Sequence, residues 1–311
     1  MVTIKQAADM LLEMDDIAIL IHQNPDGDAL GSGYGLCLCL QQLGKRAKVL
    51  CSDEIPARYD FLLTAKEQDF TPAHYVSVDV ADPKLLGSLE ELAQKVELCI
   101  DHHATNREYA ALTLCDSNAA AAAQIVFDVC KQMGANITPD IANCFYTGIS
   151  TDTGCFKYQN VTSETMRKAA DLIDLKADFA TINRLMFDTK SQTRLIAEAS
   201  VISGMEYYGD GKIAVAVITL DLIKSLNLNA LDFDGISALP RTVEGVEIGI
   251  TIRQRAESEF KISCRSSVYA DVSEMCSKLG GGGHKRAAGC QLTGDLETVK
   301  QTIVQLAKQY I

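Results

Sequence analysis

Three short runs in this chain are apolar almost throughout and end in an acid or an imidazole, with stretches of helical spacing between them. "IAILIH" ends at His22, "HYVSVD" at Asp79 and "VELCID" at Asp101. A continuously apolar run of this length reads as a strand buried on both faces. "TIKQAADMLLEM", "ALGSGYGLCLCLQQLG", "SLEELAQK", "AAAAAQIVFDVCKQMG" and "PDIANCFYTGIST" read as helices. "AKVLCS" adds a further strand. Strands alternating with helices imply an α/β domain with a mostly parallel sheet covered on both faces. This domain is expected over 1–188, followed by a helical linker over 189–205. After Gly209 the texture changes to the alternations "GKIAVAVITL", "VEIGITIRQRA" and "EFKISCRSS". They predict a smaller α+β domain over 206–311.

At 311 residues and 47% hydrophobic content, the chain can bury two cores. No apolar run approaches the roughly 20 residues of a membrane helix. Asp9, Glu13, Asp15 and Asp16 stand where a signal peptide would be uncharged, so a cytoplasmic protein is expected. The 11 cysteines are scattered, with no CxxC pair, and read as reduced thiols. A net charge of -12 argues against long duplex nucleic acid, whose affinity comes from cations neutralising phosphates. One region departs from that charge. Ile250 to Gly289 holds seven cations and four acids, room for a small anion.

The carboxyl ends of parallel strands share one edge, and ligands bind in the crevice outside it. His22, with Asp26 and Asp28 of "HQNPDGDALGSG", should therefore meet Asp79, Asp101, His102 and His103. Asp152 of "STDTG" is a further candidate. Singly, Asp26 and Asp28 suit a Pro-Asp-Gly turn, and a strand-terminal Asp is commonly a helix cap. Together, four carboxylates in one crevice would repel unless neutralised. Two divalent cations, about 3.5–4 Å apart with a bridging carboxylate, resolve the conflict. His22, Asp26, Asp28, Asp79, His102 and Asp152 supply oxygen and imidazole donors without thiolate, which makes Mn2+ the first choice, with Mg2+ or Co2+ as alternatives.

In order and spacing, "HQNPDGDALGS", "SVDVAD", "DHHATN" and "GISTDTGCFKY" resemble the four phosphoesterase motifs of the DHH superfamily. "GGGGHKRAAG", Gly280 to Gly289, resembles the signature of the DHH-associated C-terminal domain. The similarity covers nearly the whole chain, and the two-domain length is similar to the NrnA-type oligoribonucleases and pAp phosphatases. The resemblance implies that His22 and Asp26 hold one metal, Asp28, His102 and Asp152 the other, and Asp79 bridges them. It places His103 against the substrate as a phosphate contact or general acid, with Asp101 orienting an imidazole.

In the second domain, bare backbone at Gly281, Gly282 and Gly283 can approach an anion. His284, Arg265 and Arg253 are the expected substrate contacts there. Gly280 reads as a helix cap, and Lys285 and Arg286 as solvated. Ala121 and Ala122 stand where relatives tend to carry hydroxyls. The expected activity is a two-metal phosphohydrolase that degrades short single-stranded oligonucleotides to mononucleotides, with 3'-phosphoadenosine 5'-phosphate (pAp) as a second substrate; a homodimer is left open. A c-di-AMP or pApA phosphodiesterase is the alternative, ahead of a manganese pyrophosphatase or a non-catalytic nucleotide sensor.

Overall fold

Thr3 starts the first helix, α1 (Ile4–Glu13): its hydroxyl accepts from the Gln6 amide while the Gln6 side chain returns to the Thr3 backbone. Such reciprocal caps satisfy two of the donors a helix end leaves open. The helix buries Ala7, Ala8 and Leu11. Strand β1 (Ile17–Leu20) follows, buried at every position, and leads into α2 (Gly27–Gln42). Then come β2 (Ala47–Leu50), β3 (His74–Val78), β4 (Val96–Asp101) and β5 (Leu112–Cys115). The five strands form one all-parallel sheet in the order β2-β1-β3-β4-β5. The computed structural model describes residues 1–228 and 235–311.

Two expectations needed revision. The helix expected at "SLEELAQK" is part of a run of 3-10 turns over Pro83–Lys95, broken at Gly87 with φ +59°. Strand β5 had no expectation at all; "LTLC" is four residues long, and its first residue is exposed. Four helices complete the first unit: α3 (Ala122–Gln132), α4 (Pro139–Asp152), α5 (Ser163–Asp174) and α6 (Phe179–Asn183). Helices α2 and α4 cross with their backbones in near contact. A Cβ on Gly31 would lie 2.3 Å from the Cys144 carbonyl oxygen, and one on Gly35 2.4 Å from the Phe145 ring. Glycine is required at such a crossing.

Contacts divide the chain into two units, Met1–Thr189 and Lys190–Ile311. The second holds α7 (Gln192–Ser203), β6 (Glu206–Tyr208), β7 (Ile213–Ile218), α8 (Leu220–Ser225), β8 (Ile248–Ala256), β9 (Glu259–Ser266), α9 (Val272–Ser277), β10 (Gly282–His284), β11 (Ala287–Thr293) and α10 (Leu296–Ala307). Its mixed sheet runs β10-β11-β9-β8-β7-β6, parallel only at β7-β8. Side chains from α9 and α10 share one hydrophobic cluster with Ile250, Ile262 and Cys290. Ala197 and Val201 of α7 join Ala216, Ile218 and Ile236 in another cluster. Among the described residues, no helix is long and apolar enough to cross a membrane.

Candidate functional site

Each strand of the first sheet that ends in a polar residue delivers it to the same edge. Asp79 follows β3 in the left-handed region, φ +58°, which a non-glycine residue rarely adopts. Its amide donates to Ile100 O at 3.0 Å. The carboxylate is only 3% exposed, and its Oδ1 has no hydrogen-bond partner. Its two oxygens face three imidazoles: Oδ2 lies 3.6 Å from His22 Nε2, and Oδ1 lies 3.6 Å from both His102 Nε2 and His103 Nδ1. Asp26 Oδ1 is 3.7 Å from His22 Nε2, while Asp28 Oδ2 and Asp152 Oδ2 are 3.7 and 3.5 Å from His102 Nε2.

These separations are too long for hydrogen bonds and suit donors grouped around an ion. Three sets of donors lie close enough together to share one: His22, Asp26 and Asp79; Asp28, His102 and Asp152; and Asp79, His102 and His103. The far ring nitrogens support the same reading. His22 Nδ1 is 2.7 Å from Gln23 O, and His102 Nδ1 is 3.3 Å from Ala119 O. A backbone carbonyl accepting at Nδ1 fixes the tautomer whose Nε2 carries a lone pair, the form that ligates a metal. A lone pair facing carboxylate oxygens needs a cation or a proton between them.

The electrostatics show the same strain. Burial and the neighbouring carboxylates of Asp79, Asp152 and Asp26 push Asp28 well above the usual carboxylate range. Burial likewise lifts Asp79. Asp152 is pushed up to about 6, by burial and then by Asp79 and Asp26 against the opposing pull of His102. Burial disfavours a charged His22, yet Asp26 and Asp79 outweigh it and hold the imidazole up at about 11. A cluster that draws in protons this way could equally hold a cation.

Local structure explains how these candidate side chains are held. Asp26 caps α2, accepting from the amides of Asp28 (2.9 Å) and Ala29 (3.1 Å). Asp28 is 1% exposed and accepts from the amides of Ala122 (2.6 Å) and Ala123 (2.9 Å) at the start of α3. Ala121 provides no side-chain cap for that helix, so the Asp28 carboxylate does, from 94 residues away. Asp152, expected just beyond a helix, is the last residue of α4.

Asp101 is fully buried and stands behind the cluster. Its Oδ1 lies 2.8 Å from His103 Nδ1 and accepts from the His102 amide at 2.8 Å, while Oδ2 accepts from Asn106 Nδ2. The bond to Asp101 raises His103 to about 9. Asn106 was not singled out from the sequence. The signal lay in "DHHATN" itself, an amide five residues after the acid it holds.

On the second sheet, β8 and β9 align Gly249 with Arg265, Thr251 with Ser263 and Arg253 with Lys261. Arg265 pairs on its other side with Ala287 of β11, which faces His284 of β10. A cavity of about 120 Å³ is lined by Ser237, Thr251, Arg253, Lys261 and Ser263 with Ile218 and Ile236. The Thr251 hydroxyl, buried there, has no partner. Burial and the nearby Arg255 lower the pKa of both Arg253 and Lys261. Of these residues, Thr251, Ser263 and Lys261 were not singled out as contacts beforehand.

The glycine run has a partly different explanation from the expected one. A Cβ on Gly281 would lie 2.2 Å from Gly289 O, and one on Gly283 (φ +145°) 2.6 Å from Ala287 O. Packing of the β10-β11 hairpin therefore accounts for both, and Gly282 alone of the three faces open space. Gly280, φ +73°, closes α9, its amide donating to Ser277 O at 3.1 Å. Arg286 is not a merely solvated cation: it donates to the carbonyls of Ala270 and Val268.

Comparison with known proteins agrees with this geometry. Residues 16–149 match the DHH family, N-terminal domain, and residues 210–311 match the DHHA1 domain. A bifunctional oligoribonuclease and PAP phosphatase NrnA from Thermus thermophilus is 33% identical over 94% of this chain and 89% of its own. A protein of the same name from Bacillus subtilis is 21% identical over 92% of this chain and 95% of its own. The crystal structure of an exopolyphosphatase-related protein from Bacteroides fragilis superposes with a TM-score of 0.90 at 24% identity, covering 99% of this chain and 96% of its own.

Proposed function

This chain belongs to the DHH family of phosphoesterases and carries a DHHA1 domain, and from that premise we propose that it is a two-metal phosphohydrolase of short oligonucleotides and of pAp. Oligonucleotides a few residues long are cut to mononucleotides, and pAp is dephosphorylated to AMP. The observation that carries the reading is Asp79: a buried carboxylate presenting one oxygen to each of two imidazoles and bonded to neither. His22, Asp26, Asp28, Asp79, His102 and Asp152 would hold the two ions, with Asp79 belonging to the donor groups of both. The all-oxygen-and-nitrogen donor set favours Mn2+. Divalent ions so placed polarise a phosphoryl group and acidify water at neutral pH.

The chain's own groups do the rest. Asp101, anchored by Asn106, fixes the ring of His103 through Nδ1 and keeps it protonated near neutrality. His103 Nε2 then has a proton for a phosphoryl or leaving oxygen. Arg265 and Arg253, with Lys261 and the hydroxyls of Thr251 and Ser263 beside them, receive further phosphate oxygens. His284 and the open backbone at Gly282 complete that contact.

The test is a substrate panel with Mn2+: pAp, pApA, c-di-AMP, pyrophosphate and RNAs of increasing length, with products resolved by chromatography. Mononucleotides from the shortest RNAs and AMP from pAp are the expected products. Turnover of pyrophosphate or c-di-AMP alone would overturn the assignment.

A further inference from the structure

Between β9 and α9 lies a short loop whose backbone is bonded at every step. The Ser266 amide donates to Arg286 O at 3.1 Å, and the Ser267 amide to Glu247 O at 2.9 Å. The next three amides, of Val268, Tyr269 and Ala270, converge on the Glu247 carboxylate at 2.7 to 3.2 Å. From the other side, Arg286 takes the carbonyls of Val268 and Ala270. Glu247 is 5% exposed, so a buried charge is committed to this loop. Taking a carboxylate out of water is costly, and a carboxylate that accepts from three amides holds its chain segment rigidly.

Yet two side chains at the tip of the loop stand open to solvent. Val268 is 70% exposed and Tyr269 is 52% exposed. The conformation that Glu247 and Arg286 maintain therefore serves to present two side chains to solvent. The loop is also tied to the turn that carries His284 and Lys285. The Val272 amide donates to Lys285 O at 3.0 Å, and the Ser273 hydroxyl to Gly283 O at 2.7 Å. An exposed aromatic side chain on a loop whose backbone is held in place and tied to the turn of His284 and Lys285 suits a flat ring linked to phosphate. Pre-ordering removes much of the entropy such a contact would otherwise cost.

We propose that Tyr269, held by Glu247 and Arg286, is a specificity-determining residue that stacks on a nucleobase of the substrate, with Val268 against the base edge. This rests on the oligonucleotide reading above. Stacking on one base corresponds to about a 5- to 150-fold change in affinity. Tyr269→Ala should therefore raise KM for a dinucleotide within that range and change kcat less than twofold; Tyr269→Phe should restore KM. Since Tyr269 is exposed, neither change threatens folding.

A second arm is independent of turnover. A methylphosphonate-linked dinucleotide carrying 2-aminopurine, mixed with the full chain and Mn2+, should lose fluorescence on wild type and on Tyr269→Phe but not on Tyr269→Ala. Quenching that survives Tyr269→Ala, or that is absent with wild type, overturns the stacking role. Failure of the wild-type chain to release mononucleotides from RNA would instead reject the underlying function, whatever the fluorescence shows.

Discussion

Asp79 and Glu247 are both buried carboxylates, one in each unit, and they have opposite surroundings. Glu247 accepts from three backbone amides and needs nothing from outside the chain. Asp79 Oδ1 accepts from none, and it lies among Asp28, Asp152 and two imidazoles. The first is a structural anchor. The second has an acceptor that no group of the chain satisfies, in a cluster whose donors could hold a metal ion. Depth of burial does not separate the two, but the fate of each oxygen does.

That contrast can be broken most directly at Asp79. Asp79→Ala should lower Mn2+-dependent hydrolysis on the order of a thousandfold or more, since a metal supplies several kcal/mol of charge stabilisation. Thermal unfolding would show the Mn2+-dependent rise in Tm gone, with Tm in EDTA equal to or above wild type because one of several repelling carboxylates has been removed. Near-normal turnover would show that the two acids are alike after all.

Glu247→Ala is the converse case. Leaving its amides without an acceptor should cost about 3 kcal/mol, measured by urea unfolding, and the loss should be equal with and without Mn2+. A loss that depended on the metal would erase the distinction.

The smallest effect is on pH dependence. Asp152 is raised to about 6 and His22 to about 11 in the metal-free fold. Both groups hold protons more tightly folded than unfolded, so each contributes stability at low pH that is lost as pH rises through its folded pKa. Metal-free Tm should therefore fall by a few degrees as pH rises from about 4 to 6, and fall further above about 6.5. Bound Mn2+ should flatten the first of these declines. A metal-free Tm that rises across the lower window would contradict the carboxylate repulsion.

The strand ends were legible because an apolar run that stops at an acid is a local pattern: His22, Asp79, Asp101 and His102 are each read within six residues. The parallel character of the first sheet followed from alternation. What stayed hidden depends on distance along the chain or on backbone detail. Asp28 capping α3 joins positions 94 residues apart, and no periodicity encodes that contact. Strand β5 is too short for its pattern to stand out, and the break at Gly87 turns an expected helix into 3-10 turns. The packing role of Gly281 and Gly283 was hidden because a missing side chain looks the same in sequence whether a phosphate or a neighbouring strand approaches.

The crossing of α2 and α4 has a bearing on how damage would spread. Asp28 lies in the first turn of one helix and Asp152 at the last residue of the other, and Gly27, Gly31, Gly35 and Gly148 let the two lie so close. A methyl group added at Gly31 would act as a wedge, prying apart two rods whose ends carry the ligands. Positions with no functional group at all therefore govern the spacing of the acids, and a screen for inactive variants would recover them alongside the ligands themselves.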